Sequence, residues 1–560
     1  MQVIADGFSR EVAMKSLMVP TEAKLLASIA DLGNKGEQMA MEYGYADAVA
    51  KHLSSTSPEV MTATAVALGK MGMAGAKYSD TIAAGLESDS SQLKIAAATA
   101  LGGFGDAAAK HAEKLVVVIS DSTEEAVKIA AIQALGQIGA DSKADFVAEM
   151  LGDRSPDIQS AACMALGGML YSGAAKADEI AKKLTSEGTQ CAACCALSAL
   201  GEEAVKPHIA AIVTNCVASK DMITRQEALS ALGKTGEDAI DASSQIVSLL
   251  THQNPAVRAA AALALGNIGE KAAGEAGAIV KLLADEQEDD AWIPLQVGGG
   301  ACREPMAMRK PKCAALVALG GMKSETHVSQ IEGYLQDSDW EVRFCAVEAL
   351  GVIGEAASST ADKVASLLDD DTYPVRAKAC YALGAMKAGD QADKIIDMFK
   401  DKTQVVRSEA VAAVGMMGEA GHQFTGEIAK LLSDLSPNVR AAAVGALANL
   451  GEGGQPYASV IANLLSDPDY NVVTEVCASL GKMGAYGAAF AEDVALMLQA
   501  PYSPLKSAAA LALGKMGAEA KDFTGSLRAL TADGDPEVSQ AANFALETLA
   551  ELALDDGDVE

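Results

Sequence analysis

Ala67-Leu68-Gly69-Lys70-Met71-Gly72 returns almost unchanged at Ala512-Leu513-Gly514-Lys515-Met516-Gly517. Close variants stand at Ala134–Gly139, Ala264–Gly269 and Ala349–Gly354. Following the first glycine of each copy gives the column Gly33, Gly69, Gly102, Gly136, Gly167, Gly201, Gly233, Gly266, Gly320, Gly351, Gly384, Gly415, Gly481 and Gly514, with Ala448 and Glu547 in the same phase. The steps are 31–36 residues, except for one of 54 between Gly266 and Gly320. A fixed period in this range, held end to end, is the signature of a repeat array.

Two residues before the glycine stands alanine in nearly every copy (Ala67, Ala100, Ala134, Ala165), and five before it usually alanine again (Ala97, Ala131, Ala162). Positions three apart share a helix face, so these alanines form a small-residue ridge that permits close helix approach. The glycine that follows is expected to cap the helix in a left-handed conformation. Eight residues before the glycine a basic side chain recurs, as at Arg258, Arg343, Arg376, Arg407 and Arg440. Fourteen before it an aspartate recurs, as at Asp337, Asp370, Asp401, Asp434 and Asp467. Turn formers such as Ser436-Pro437-Asn438 lie between the two columns. Upstream of the aspartate a second amphipathic pattern appears, for example Tyr457, Val460, Ile461, Leu464 and Leu465. Each unit therefore reads as helix A, an Asp/Pro turn, helix B and a Gly-x-x-Gly turn. The predicted fold is all-α: a right-handed α-solenoid of about 16 helix pairs occupying residues 1–560 as one array.

The turn aspartate, the Val-Arg pairs (Val342-Arg343, Val375-Arg376, Val439-Arg440) and the Ala-Leu-Gly ending resemble the HEAT-repeat family. The resemblance is closest to the short HEAT-like repeats of phycobilisome linker lyases, and it covers nearly the whole chain. It implies a helical-pair solenoid, and it implies that the arginine and aspartate columns form a structural ladder within the scaffold. The Thr-Pro-Leu-His signature of ankyrin repeats and the aromatic pattern of tetratricopeptide repeats are absent.

Half the residues are hydrophobic but only 4% are aromatic, so the core must be built from small and aliphatic side chains. The formal net charge of −31 opposes binding to nucleic acid or anionic membranes and favours partners with basic or apolar segments. No stretch has the roughly 20 apolar residues needed to cross a bilayer, so no membrane insertion is expected. Met1–Lys15 mixes charged with apolar residues and lacks the core of a secretion signal. Ten cysteines without regular pairing intervals fit the cytoplasm or another reducing intracellular compartment.

Evidence for catalysis is absent. Phosphate-loop, nucleophile-elbow and H-E-x-x-H motifs are missing, and no histidine precedes a glutamate. That last absence argues against the iron-dependent hydroxylase chemistry carried by some HEAT-like proteins. Cys191, Cys194 and Cys195 contain a C-x-x-C spacing without a second pair to complete a zinc site, and Cys163, Cys380 and Cys477 share one repeat position, as core residues do. Neither a catalytic residue, a metal site nor a cofactor is expected.

The 54-residue step contains an insertion, residues 286–310, between helix A and helix B of one repeat. Trp292, Ile293, Leu295, Arg303, Met306 and Met308 give it an apolar and basic load of the kind found at interfaces, so it is expected to contact a partner. Helix B positions seven, six and three before the glycine are expected to face the concave surface; most are small, with Phe344 and Tyr381 among the exceptions. Residues 548–560 read as a C-terminal cap and acidic tail. The sequence thus predicts a non-enzymatic protein-binding scaffold within a larger assembly. The family resemblance alone supplies the rival: a chromophore-lyase-type or chaperone-type subunit acting on a phycobiliprotein-like partner.

Overall fold

The computed structural model describes residues 45–217, 219–288, 296–297, 300–301, 310–533 and 535–555. The first glycine of the column, Gly33, lies outside them, as do residues 556–560 of the acidic tail. The second helices of the repeats are α1 Pro58–Gly69, α2 Ser91–Gly103, α3 Glu125–Gln137, α4 Pro156–Gly168, α5 Gln190–Leu200, α6 Met222–Lys234, α7 Pro255–Ile268, α8 Pro311–Gly321, α9 Trp340–Ile353, α10 Tyr373–Ala385, α11 Gln404–Met416, α12 Pro437–Asn449, α13 Tyr470–Lys482, α14 Ser503–Met516 and α15 Pro536–Asp555. Two compact units are formed, Met1–Ala314 and Ala315–Glu560. Within each, successive second helices pack side by side, giving the α-solenoid architecture.

Local chemistry sets where these helices begin. Ser155 Oγ accepts the N–H groups of Asp157 and Ile158, and Asn254 Oδ1 accepts those of Ala256 and Val257. Each supplies partners for amides that the first helical turn leaves unpaired. Pro156, Pro255 and Pro437 then sit at the first helical position, where a missing N–H costs nothing. Helix A is not the single continuous helix that its apolar periodicity suggests. In the repeat ending at Ala448 it runs as a 3₁₀ segment Gly418–Phe424, a short α-helix Thr425–Lys430 and a 3₁₀ turn Leu431–Ser433. The stripe survives this change, with Ile428 and Leu432 buried.

The glycine column has a different task from the one its position suggests. Gly415 lies inside α11, and a Cβ placed on it would stand 2.7 Å from the Cα of Ala446 on α12. Gly384 faces Ala413 in the same way, at 2.6 Å. The first glycine is therefore where one second helix touches the alanine ridge of the next. The left-handed turn falls three residues later, at Gly418 with φ 58° and its equivalents, while Gly201 is the column glycine that does end its helix with a positive φ, 96°. In two repeats a lysine takes that left-handed place, Lys323 at φ 46° and Lys387 at φ 53°.

Repeat length is adjusted at the turn that follows. Several 33-residue repeats carry a seven-residue 3₁₀ segment there, such as Gly354–Thr360, Gly418–Phe424 and Gly517–Phe523. The 31-residue repeats carry only three residues: Asp141–Lys143, Glu325–His327 and Gly389–Gln391. The long repeat departs on the opposite edge, after Asp285, and α8 begins at Pro311. Between them lies an antiparallel pair, β1 Gln296–Val297 and β2 Gly300–Ala301, the only β structure among the described residues. Trp292, Ile293, Leu295, Arg303, Met306 and Met308 lie outside the described residues. α15 continues for 20 residues to Asp555.

Candidate functional site

The arginine column joins neighbouring repeats. Arg343 Nε donates to Asp370 Oδ2 at 2.7 Å and Nη2 to Oδ1 at 3.0 Å, while Nη1 donates to the carbonyl of Asp337 at 2.9 Å. Each guanidinium thus holds the carboxylate of the next repeat and the backbone of its own. Arg376 repeats the pattern on Asp401 and Arg407 on Asp434, and Arg258 donates to Asp285. The carboxylates in turn accept backbone N–H groups, as Asp401 does from Thr403 at 2.7 Å. Burial raises the carboxyl pKa of Asp370, Asp401, Asp434 and Asp467. The arginine and backbone hydrogen bonds outweigh it and hold all four below the ordinary value. Arg376 and Asp401 keep side-chain exposures of 9% and 10%, so little of the pair is left for an external ligand.

On the exposed side of the second helices, Phe344 of α9 and Tyr381 of α10 are brought together around a cation. Lys378 Nζ lies 5.2 Å from the centroid of each ring and 3.0 Å from Glu348 Oε1. One turn along the array, burial raises the pKa of Glu409 on α11 against the pull of Lys378. All five side chains are half-buried. The result is an aromatic and acidic patch at positions that are mostly small in the other repeats. Sequence reasoning found Phe344 and Tyr381 but missed Lys378, Glu348 and Glu409. They occupy the same outward positions, six and three before the glycine, and asking which of those positions carry charge would have found them.

Four segments, residues 79–167, 212–292, 309–375 and 427–514, match the family of HEAT repeats, together more than half of the chain. The chain belongs to the HEAT-repeat family. No curated protein matches the sequence. Among solved structures, importin beta in an ammonium sulfate condition aligns with a TM-score of 0.54 at 14% identity, covering 97% of this chain and 89% of that one. The Kap95:Nup1 complex gives 0.53 at 14% identity, covering 97% and 83%. The karyopherin Kap121p bound to the SUMO protease Ulp1p gives 0.51 at 13% identity, covering 95% and 72%. At such identities the likeness is one of fold.

Within the HEAT array the cysteines behave as interior groups. Cys194 and Cys195 on α5 are buried and Cys191 is half-exposed, and burial pushes the thiols of Cys163 and Cys477 up to about 12. Among the described residues no cluster of His, Cys, Asp and Glu could hold a metal ion, and no helix is long and apolar enough to cross a membrane. The insertion belongs to the HEAT repeat ending at Gly320, and its β1 strand lies against α4 and α5.

Proposed function

We propose that this HEAT solenoid is a non-enzymatic scaffold that binds a protein partner along the exposed face of its second helices, within a larger assembly. The observation that carries the reading is the Phe344–Lys378–Tyr381–Glu348 patch, an aromatic and charged anchor at helix positions that are mostly small in the other repeats. The net charge of −31 supports partners with basic or apolar segments rather than nucleic acid. Solved structures that share the fold include complexes with protein partners, Nup1 and Ulp1p. The insertion at residues 286–310 extends the proposed contact surface beyond the repeats. Ten cysteines without regular pairing intervals support residence in a reducing compartment.

The test is affinity capture from the source cell, with mass spectrometry, using the native chain and a Phe344→Ser/Tyr381→Ser variant side by side. A protein retained by the native chain and released by the variant is the expected result. Retention that ignores the patch would move the contact elsewhere. Covalent chromophore absorbance after incubation with a bilin and an apo-phycobiliprotein would overturn the scaffold reading in favour of lyase-type chemistry.

A further inference from the structure

One rung of the arginine ladder lacks its carboxylate. Six arginines stand in the column: Arg225, Arg258, Arg343, Arg376, Arg407 and Arg440. The last five each hold an aspartate of the next repeat. At the partner position of Arg225 stands His252, in the run His252-Gln253-Asn254-Pro255 that aligns with Asp434-Leu435-Ser436-Pro437.

His252 keeps the local duties of the aspartate it replaces. Its Nδ1 accepts the N–H of Asn254 at 3.1 Å, as Asp434 Oδ1 accepts that of Ser436, and its carbonyl accepts Arg258 Nη1 at 2.6 Å. What it lacks is the charge. Burial, and then the neighbouring Arg225, hold the ring's pKa below its ordinary value. The imidazole is therefore uncharged at neutral pH and offers that guanidinium no counter-charge.

Arg225 is left with spare donors. Its Nη1 donates to the carbonyl of Ser219 at 2.5 Å, the bond to its own turn that the other five arginines also make. Nε and Nη2 are the nitrogens with which Arg343 and Arg440 grip a carboxylate, and in Arg225 neither has an acceptor among the described residues. Nε is enclosed; Nη2 is not, and the residue as a whole is half-buried. Asp221, just before α6, does not fill the place, since its Oδ2 accepts both the N–H and the hydroxyl of Thr224. Met222 borders the same turn, its Sδ 3.0 Å from Asn254 Nδ2, and is 48% exposed.

We propose that Arg225 is a docking site for a carboxylate brought by a partner protein, met at Nη2 where the other rungs hold an aspartate. A guanidinium presents its N–H groups in a plane that matches a carboxylate, and this chain uses the same pairing at its five other column arginines. The exposed Met222 favours an acidic group with an apolar side chain beside it. An aspartate or glutamate side chain and a chain terminus both carry this group. The contact lies at the turn between helix A and helix B, apart from the helix face proposed above, and does not rest on that reading.

Saturation-transfer NMR on the full chain tests it with three probes: N-acetyl-leucine, a terminal carboxylate; N-acetyl-glutamate α-amide, a side-chain carboxylate; and N-acetyl-leucine amide, which has neither. The native protein should bind at least one acid on the order of tenfold more tightly than the amide, and the tighter acid names the source. His252→Asp supplies the missing carboxylate from within, so it should raise the melting temperature and weaken acid binding about tenfold. Arg225→Gln should lose the same binding. Circular dichroism verifies folding, and His252→Asp, which adds the ladder's own contact, keeps the test decisive if Arg225→Gln unfolds. No binding of either acid by the native chain, binding of the amide as tight as that of the acids, or native-like acid binding by either folded variant would each overturn the proposal.

Discussion

Arg440 closes a two-pronged contact on Asp467 of the next repeat, Nε to Oδ2 at 2.7 Å and Nη2 to Oδ1 at 2.8 Å. Its third nitrogen, Nη1, reaches back to the carbonyl of Asp434 at 2.9 Å. Asp434 in turn holds Arg407 through both carboxylate oxygens. The pairs are therefore linked in series, with each aspartate offering its side chain to one arginine and its backbone to the following one.

Replacing Arg440 with alanine should destabilise the fold by about 2–3 kcal/mol, because it strands a largely buried carboxylate and a turn carbonyl. Thermal melts of Arg440→Ala and Arg407→Ala would measure this, and partner affinity should change only modestly. Since the two arginines share Asp434, the double variant should lose less than the sum of the singles. Unchanged melts with abolished binding would make the column a ligand stripe.

The two glycines of the Gly-x-x-Gly turn should respond differently to alanine. Gly415→Ala forces a Cβ to within 2.7 Å of the Ala446 backbone and should cost about 1–3 kcal/mol through overpacking, with the helices pushed apart. Gly418→Ala meets no atom within 4 Å and should cost only the left-handed strain, about 1 kcal/mol. Equal losses at the two sites would show that close helix approach is not what the first glycine provides.

Acid should weaken the second unit in a defined window. Asp370, Asp401, Asp434 and Asp467 have folded pKa values below the unfolded value of roughly 3.9. Their stabilisation is fully present above that value and is lost as pH falls through the lowered folded values. Melting temperature should hold from neutrality to about pH 5 and fall below about pH 4. Asp467→Asn should lower the neutral-pH melt and flatten part of the acid slope; an unaltered slope would remove the ladder as the cause.

The repeat, its helix pair and the Arg–Asp columns were legible because the same residue types recur at the same phase, and recurrence averages out local ambiguity. The role of Gly415 was not legible. A glycine near a helix end reads as a cap, and only the position of Ala446 on a neighbouring helix reveals the contact. The broken form of helix A was hidden for a related reason: apolar periodicity reports which face is buried, not whether the backbone closes to the third or the fourth residue. The Lys378 patch escaped because its members come from three repeats and no single one carries a motif.

Deleting Gln287–Met308 shortens the long step from 54 to 32 residues and should leave the array folded, since α8 begins beyond the cut. A small loss is expected from Arg258, whose Nη2 donates to Gln287 Oε1 at 2.7 Å. Circular dichroism and a melt check the fold, and the capture experiment checks the insertion. A folded deletion variant that holds its partner with native affinity would show that the insertion is not a contact.

The Arg–Asp rungs also bear on how the second unit responds to mechanical load. From Arg343 to Asp467 each rung spans one repeat boundary, and the guanidinium–carboxylate bonds of each arginine reach the next repeat. Tension along the chain would therefore be resisted by a row of similar clasps in series, each yielding on its own. Extension should appear as a succession of small steps of similar length rather than one rupture, and Arg407→Ala should mark the boundary that opens first. Such a unit would act as a spring that gives way one repeat at a time while the rest of its surface stays assembled.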